Sequence, residues 1–248
     1  MSLFDHLLRL GDNALILGQQ LSALTGHGPV LEEDIATANI ALDLIGEARL
    51  WLSLAGEVEG AGRSENDLAF HRDEIDFRNL LLVEQPNGDF ADTMARQFLF
   101  DAWHEAVLAA LAGAADPRIA AIAAKSRKEA RYHLSHSAGW VIRLGDGTDY
   151  SRTRIQQAVD NLWPYTGEMF EPDEAERSLV AGGFAADPAE IRPLWRQRIA
   201  ETLARATLVV PPDRWMQSGG RRGSHSEHLG RLLAEMQHIP RSHPDARW

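Results

Sequence analysis

The opening segment places Leu3, Leu7, Leu10, Ala14, Leu17, Leu21 and Leu24 in alternating steps of four and three residues. That spacing lines one face of an α-helix and no face of a strand, so the chain begins as an amphipathic helix that needs a partner. Gly26 supplies a stop. A second helix is predicted from the acidic first turn Glu32, Glu33 and Asp34 through Ile35, Leu42, Ile45 and Leu52 to about Gly56. So short a connection makes the two an antiparallel hairpin.

Residues 60–86 are less regular, with a cap at Ser64 and a short apolar run at Leu80, Leu81, Leu82 and Val83, and they read as a connection. Pro86, Asn87 and Gly88 signal a turn, after which Asp89 caps a helix running through Phe98, Ala102 and Leu108 to Gly113. Asp116 and Pro117 open the next helix, because proline at the first helical position loses no intrahelical hydrogen bond; it runs to about Gly145 and completes a second long hairpin. Shorter helices follow, one after Ser151, one after Pro172, one opened by Asp187 and Pro188, and one from about Ser226 to His238. Gly219, Gly220 and Gly223 bracket Arg221 and Arg222 in an expected exposed loop. No period-two pattern, internal repeat or low-complexity tract interrupts this. The expectation is an all-α, ferritin-like four-helix bundle with additional C-terminal helices: a single domain over 1–248, its core bundle at about 3–145 and a helical extension at about 151–240.

Composition narrows the function. A hydrophobic content of 44% supports a sizeable core. Net charge is -11 without a basic stripe, which argues against nucleic acid as a partner. Cysteine is absent, which excludes disulfides and thiolate sites and suits a cytoplasmic address. Neither a leader pattern nor a membrane-length apolar run is present in the sequence. Lys125 and Lys128 are the only lysines, a bias attributed to composition.

A bundle of this class can hold two metal ions, with a Glu from each of two helices and a Glu-x-x-His pair from each of the others. Here the first helix has no carboxylate after Asp12. The second carries Asp43 and Glu47 but no histidine, the third Asp101 and His104, and the fourth Glu129 and His133. The pattern fails helix by helix. Two readings remain: a residual metal site using those six residues, and, preferred, a metal-free buried network in which Arg49, Lys125 or Arg131 neutralises Asp43, Glu47, Asp101, Glu129 and His133. Glu235 and His238 match Glu-x-x-His but lie at a helix end, and His225, Glu227 and His228 read as surface or interface. No nucleophile elbow, phosphate loop or His-Glu-x-x-His is present, so no catalytic, cofactor-binding or metal residue is assigned.

Four blocks together carry a resemblance: Asn39–Arg49 (NIALDLIGEAR), Asn79–His104 (NLLLVEQPNGDFADTMARQFLFDAWH), Lys128–Leu134 (KEARYHL) and Ser226–Gln237 (SEHLGRLLAEMQ). In order and spacing the chain resembles the family of structural C subunits of bacterial phenylacetyl-CoA epoxidases. The resemblance implies a non-metal scaffold subunit of a multicomponent di-iron monooxygenase of aerobic phenylacetate catabolism, which epoxidises the ring of phenylacetyl-CoA with O2 and NADPH. It implies no cofactor in this chain, di-iron in a catalytic A subunit that this chain binds as a hetero-oligomer, and FAD and iron-sulfur in a reductase. A homodimer of the isolated chain is also allowed. The competing class is a self-sufficient ferritin-like di-metal oxidase or oxygenase. Trp163, Tyr165, Phe170, Trp195, Arg198, Trp215, Arg221 and Arg222, of types that anchor interfaces, are expected to include the partner contacts.

Overall fold

The computed structural model describes residues 3–243 and is all helical among them. Ten α-helices occur among the described residues: α1 (Leu3–Ser22), α2 (Leu31–Glu59), α3 (Glu65–Phe70), α4 (Phe90–Leu111), α5 (Pro117–Gly145), α6 (Asp149–Leu162), α7 (Glu174–Ala181), α8 (Pro188–Arg205), α9 (Glu227–Met236) and α10 (His238–Ser242). They form two compact units, each with one long hairpin. The first comprises residues up to 86 and those from 219 onward, built on α1 and α2; the second is 87–218, built on α4 and α5.

Helix starts follow side-chain chemistry. Ser64 and Asp67 cap α3 reciprocally, as Asp89 and Asp92 cap α4, which satisfies amide donors that a helix leaves without partners. Asp116 and Pro117 open α5, and Asp187 and Pro188 open α8, as the sequence suggests. One start differs: Thr148 accepts from the amide of Ser151, so α6 begins at Asp149 and Ser151 is its third residue. Another helix end differs as well, because α9 stops at Met236 and His238 opens α10. Gly56 lies so close to the connection that an added Cβ would meet the carbonyl oxygen of Arg63 at 2.2 Å, and α2 continues three residues beyond it to Glu59.

In the first unit the predicted stripe of α1 is buried: Leu7, Leu10, Ala14, Leu17 and Leu21 face α2 side chains that include Ile40, Leu44, Trp51 and Leu52. Ile35 and Leu42, apolar positions of the second helix, point outward at 52% and 66% exposed. The helix is apolar on two sides, and α1 covers only one. In the second unit α4 is almost wholly buried, with α5, α6 and α8 packed on it. Trp195 of α8 donates its indole N–H to the carbonyl of Leu99 at 3.0 Å.

A polar row on α1 receives the connection between hairpins. Asp12, fully buried, accepts from both terminal nitrogens of Arg72, one at 3.0 Å, and from the amide of Arg78 at 2.8 Å. Asn13 accepts the amide of Leu80 at 2.7 Å, and Gln20 donates to the carbonyl of Glu84 at 3.1 Å. The Arg72 guanidinium also lies over the Phe77 ring, 4.3 Å from its centroid. Asp12, the last carboxylate of α1, therefore lies buried in mid-helix with a guanidinium as its partner. Asp12→Ala is expected to cost roughly 3–5 kcal/mol in denaturant unfolding, because Arg72 stays buried without its counter-charge. The double change Asp12→Leu with Arg72→Met should cost much less, and equal losses for the single and double variants would exclude that origin.

Candidate functional site

The residues weighed as metal ligands are divided between the units. In the first, Glu47 is buried and accepts the indole N–H of Trp51 at 2.8 Å, while Asp43 is only half-buried. In the second, Asp101 is fully buried and accepts from Gln97 Nε2 and from the Ser137 hydroxyl, both at 2.7 Å. His104 is buried with its ring centroid 5.0 Å from that of Phe100, His133 is buried edge-on to Tyr132, and Glu129 is half-buried. Among the described residues no three His, Asp or Glu side chains converge as a metal ion requires. The donor set as placed does not fit a di-metal centre.

The expected cationic partners lie elsewhere. Arg49 is 75% exposed and reaches Glu65 at 3.1 Å, Lys125 is exposed, and Arg131 lies 3.6 Å from Glu105. Asp101 is held by neutral donors. Burial pushes its pKa up to about 7, against the opposing hydrogen bonds from Ser137 and Gln97 and the nearby His104.

Two buried charged nodes escape sequence inspection. On α4, Glu105 accepts from Arg127 of α5 and Arg198 of α8, each at 3.0 Å. Burial raises its pKa, but the two guanidiniums outweigh this and hold the carboxyl below its ordinary range. Arg198, one of the set expected to include the partner contacts, is thus engaged within its own unit. A groove of about 520 Å³ adjoins this node, lined by Ala106, Ala109, Ala110, Ile191 and Leu194.

In the first unit, Glu84 is fully buried and accepts from Asn79 Nδ2 at 2.9 Å, the Ser226 amide at 2.7 Å and His225 Nδ1 at 2.8 Å. The other ring nitrogen of His225 faces the carbonyl of Phe77 at 3.1 Å. Both ring nitrogens meet acceptors, so the geometry calls for a doubly protonated imidazolium opposite an ionised Glu84. Burial lowers the His225 pKa, yet the hydrogen bond and charge of Glu84, with Phe77 and Glu74, hold it above the ordinary value. The expectation of a surface cluster is corrected here: the His225 side chain is fully enclosed, whereas Glu227 pairs in solvent with Arg231. Glu235 and His238 are exposed.

The aromatic set divides similarly. Trp163 and Trp195 are buried, with centroids 5.4 Å apart, and half-buried Phe170 packs against Trp195 at 5.2 Å, so these members of the set pack within their own unit. Tyr165 is half-buried, as is Arg221, whose carbonyl accepts from Arg9 at 3.4 Å. Trp215, 74% exposed, and Arg222 remain outward. No helix among the described residues is long and apolar enough to cross a membrane.

An all-helical fold built on long hairpins, with hydrogen-bonded carboxylates in its interior, is that of a helical protein of the ferritin-like class. Residues 1–248 match the profile of the family described as "Phenylacetic acid catabolic protein", and the chain belongs to that family. It is similar to the C subunit of the 1,2-phenylacetyl-CoA epoxidase of Escherichia coli (strain K12), with 51% identity over 243 residues that cover 98% of each chain.

Two pH dependences follow. Asp101 holds its proton up to about pH 7 in the folded state, well above the usual range of an unfolded Asp. Its contribution to stability therefore falls as pH rises from about 4 through 7. Asp101→Asn keeps both hydrogen bonds and should flatten that fall, making the variant the more stable protein at pH 8 in thermal melts. His225 has the opposite origin: its raised pKa supplies stability that is complete below about 6.5 and lost as pH rises through the folded value. His225→Ala should accordingly destabilise more at pH 6 than at pH 9 in urea titrations.

Proposed function

We propose that this chain is a C subunit of a 1,2-phenylacetyl-CoA epoxidase, acting as the structural partner of a catalytic A subunit in phenylacetate catabolism. The observation that carries this reading is 51% identity over 98% of both chains to a protein of that name. A scaffold role is supported by the geometry of the ligand-type residues: Asp12 is bound by Arg72, Glu47 by Trp51 and Asp101 by Gln97 and Ser137. On this reading the chain holds no cofactor, works in the cytoplasm, and relies on di-iron in the A subunit and on flavin and iron-sulfur in a reductase.

The test is co-expression with the remaining epoxidase subunits, followed by purification and a turnover assay on phenylacetyl-CoA. Epoxide formation that requires this chain supports the reading, and full turnover without it overturns the reading. Purified alone without chelator, the chain should hold less than about one tenth of an equivalent of iron, since a site needs convergent ligands. Stoichiometric iron would favour a self-sufficient di-metal oxygenase instead. Trp215→Ala, at the rim of a cleft of about 320 Å³ formed with Trp163, Pro164, Pro211 and Pro212, should weaken co-purification with the A subunit while leaving helicity unchanged.

A further inference from the structure

Helix α5 carries six arginines and lysines against one acid, Glu129, which gives it five net positive charges in a chain whose net charge is -11. Both lysines of the protein are among them. Arg118, Lys125, Lys128, Tyr132, His136 and Arg143 follow one another at intervals of three, four or seven residues, so they share one face of the helix. All are exposed except half-buried His136. The gaps between them hold Ala121 and Gly139, and a Cβ added at Gly139 would meet nothing within 4 Å. Glu129 flanks this stripe and is half-buried.

The two ends of the stripe are engaged within the chain. Arg118 pairs with Asp116 at 2.7 Å, and the Arg143 guanidinium sits over Trp140, 5.2 Å from its ring centroid. The middle is not: among the described residues neither Lys125 nor Lys128 has an ion pair. Tyr132, 54% exposed, stands beside them with its ring 6.3 Å from those of His133 and His136, which fixes its direction. An oriented aromatic between uncompensated cations is suited to recognition, because the ring supplies contact area and the charges steer an acidic partner. The negative charge of the whole chain disfavours an extended polyanion, so a protein face of limited size fits the stripe. Lysine is strongly hydrated and depleted in stable interfaces, which points to a contact that forms and releases.

We propose that the outward stripe of α5, centred on Lys125, Lys128 and Tyr132, docks the acidic face of a protein that binds transiently. Resting on the epoxidase reading, that protein is the reductase, which must arrive and leave as it delivers electrons. Contacts of that kind are small and depend on complementary charge more than on buried apolar area.

The complex of this chain with the A subunit, titrated with purified reductase at about 50 and about 500 mM NaCl, provides the test through direct binding and NADPH-driven turnover. Lys125→Glu combined with Lys128→Glu should raise the reductase concentration at half-maximal turnover about tenfold at the lower salt. Turnover at saturating reductase and retention of the A subunit should not change. Tyr132→Ala should raise the same concentration about threefold at both salts, with unchanged helicity. Arg205→Glu combined with Arg231→Glu alters net charge equally at other exposed positions and should have little effect. Reductase binding that ignores salt, or an unchanged reductase dependence in the stripe variants, overturns the proposal and leaves the epoxidase reading standing. Loss of the A subunit from those variants does the same, by assigning the stripe to that subunit. Turnover that does not require this chain overturns both.

Discussion

A carboxylate removed from water must find donors, and this requirement fixes more of the structure than the apolar stripes do. Asp12, Glu84, Asp101 and Glu105 are each at most 5% exposed, and each joins segments distant in sequence. Asp12 fastens α1 to the connection through Arg72 and the amide of Arg78. Glu84 fastens the C-terminal segment through His225 and Ser226, and Glu105 gathers α5 and α8 through Arg127 and Arg198. Apolar side chains tolerate a slide of one helical turn against a neighbour. A carboxylate held by two or three directed donors does not, so these contacts set the register in which the stripes pack.

The helices are largely legible in the sequence because their signals are local. Alternating steps of four and three mark α1, and Asp89, Asp116, Asp187 and Ser64 announce the starts that they cap. The partners of the buried charges are not legible, because nothing near Glu105 in sequence indicates Arg198, ninety-three residues away, and nothing near Asp12 indicates Arg72. Periodicity also has a blind side. It identifies Ile35 and Leu42 as apolar members of a helical stripe without saying which of two apolar faces the chain itself covers, and α1 covers the other. The tryptophans show the same ambiguity, for composition alone does not separate Trp195 at 1% exposure from Trp215 at 74%.

A spacing rule can be satisfied in part while the side chains turn to other partners. Asp101 and His104 stand three apart on α4, as an Asp-x-x-His pair would, yet the carboxylate is turned to Gln97 one helical turn before it and to Ser137 on α5. An ionised carboxylate here would need charge compensation; the cations expected to supply it, Arg49, Lys125 and Arg131, lie at the surface or beside Glu105. Burial therefore favours the protonated form, and an uncharged Asp101 can donate as well as accept.

The two faces of α2 differ in whether the chain itself covers them. A helix whose inner face is held by Ile40, Leu44 and Trp51, with Glu47 locked on the Trp51 indole, keeps a well-defined outer face. Rigidity matters for recognition because a surface already ordered in the free protein loses little conformational entropy when it is covered. The outer residues Leu31, Ile35 and Leu42 thus stand on a backbone that needs no refolding to meet another helix. Truncating them removes little from the isolated fold, since they are exposed.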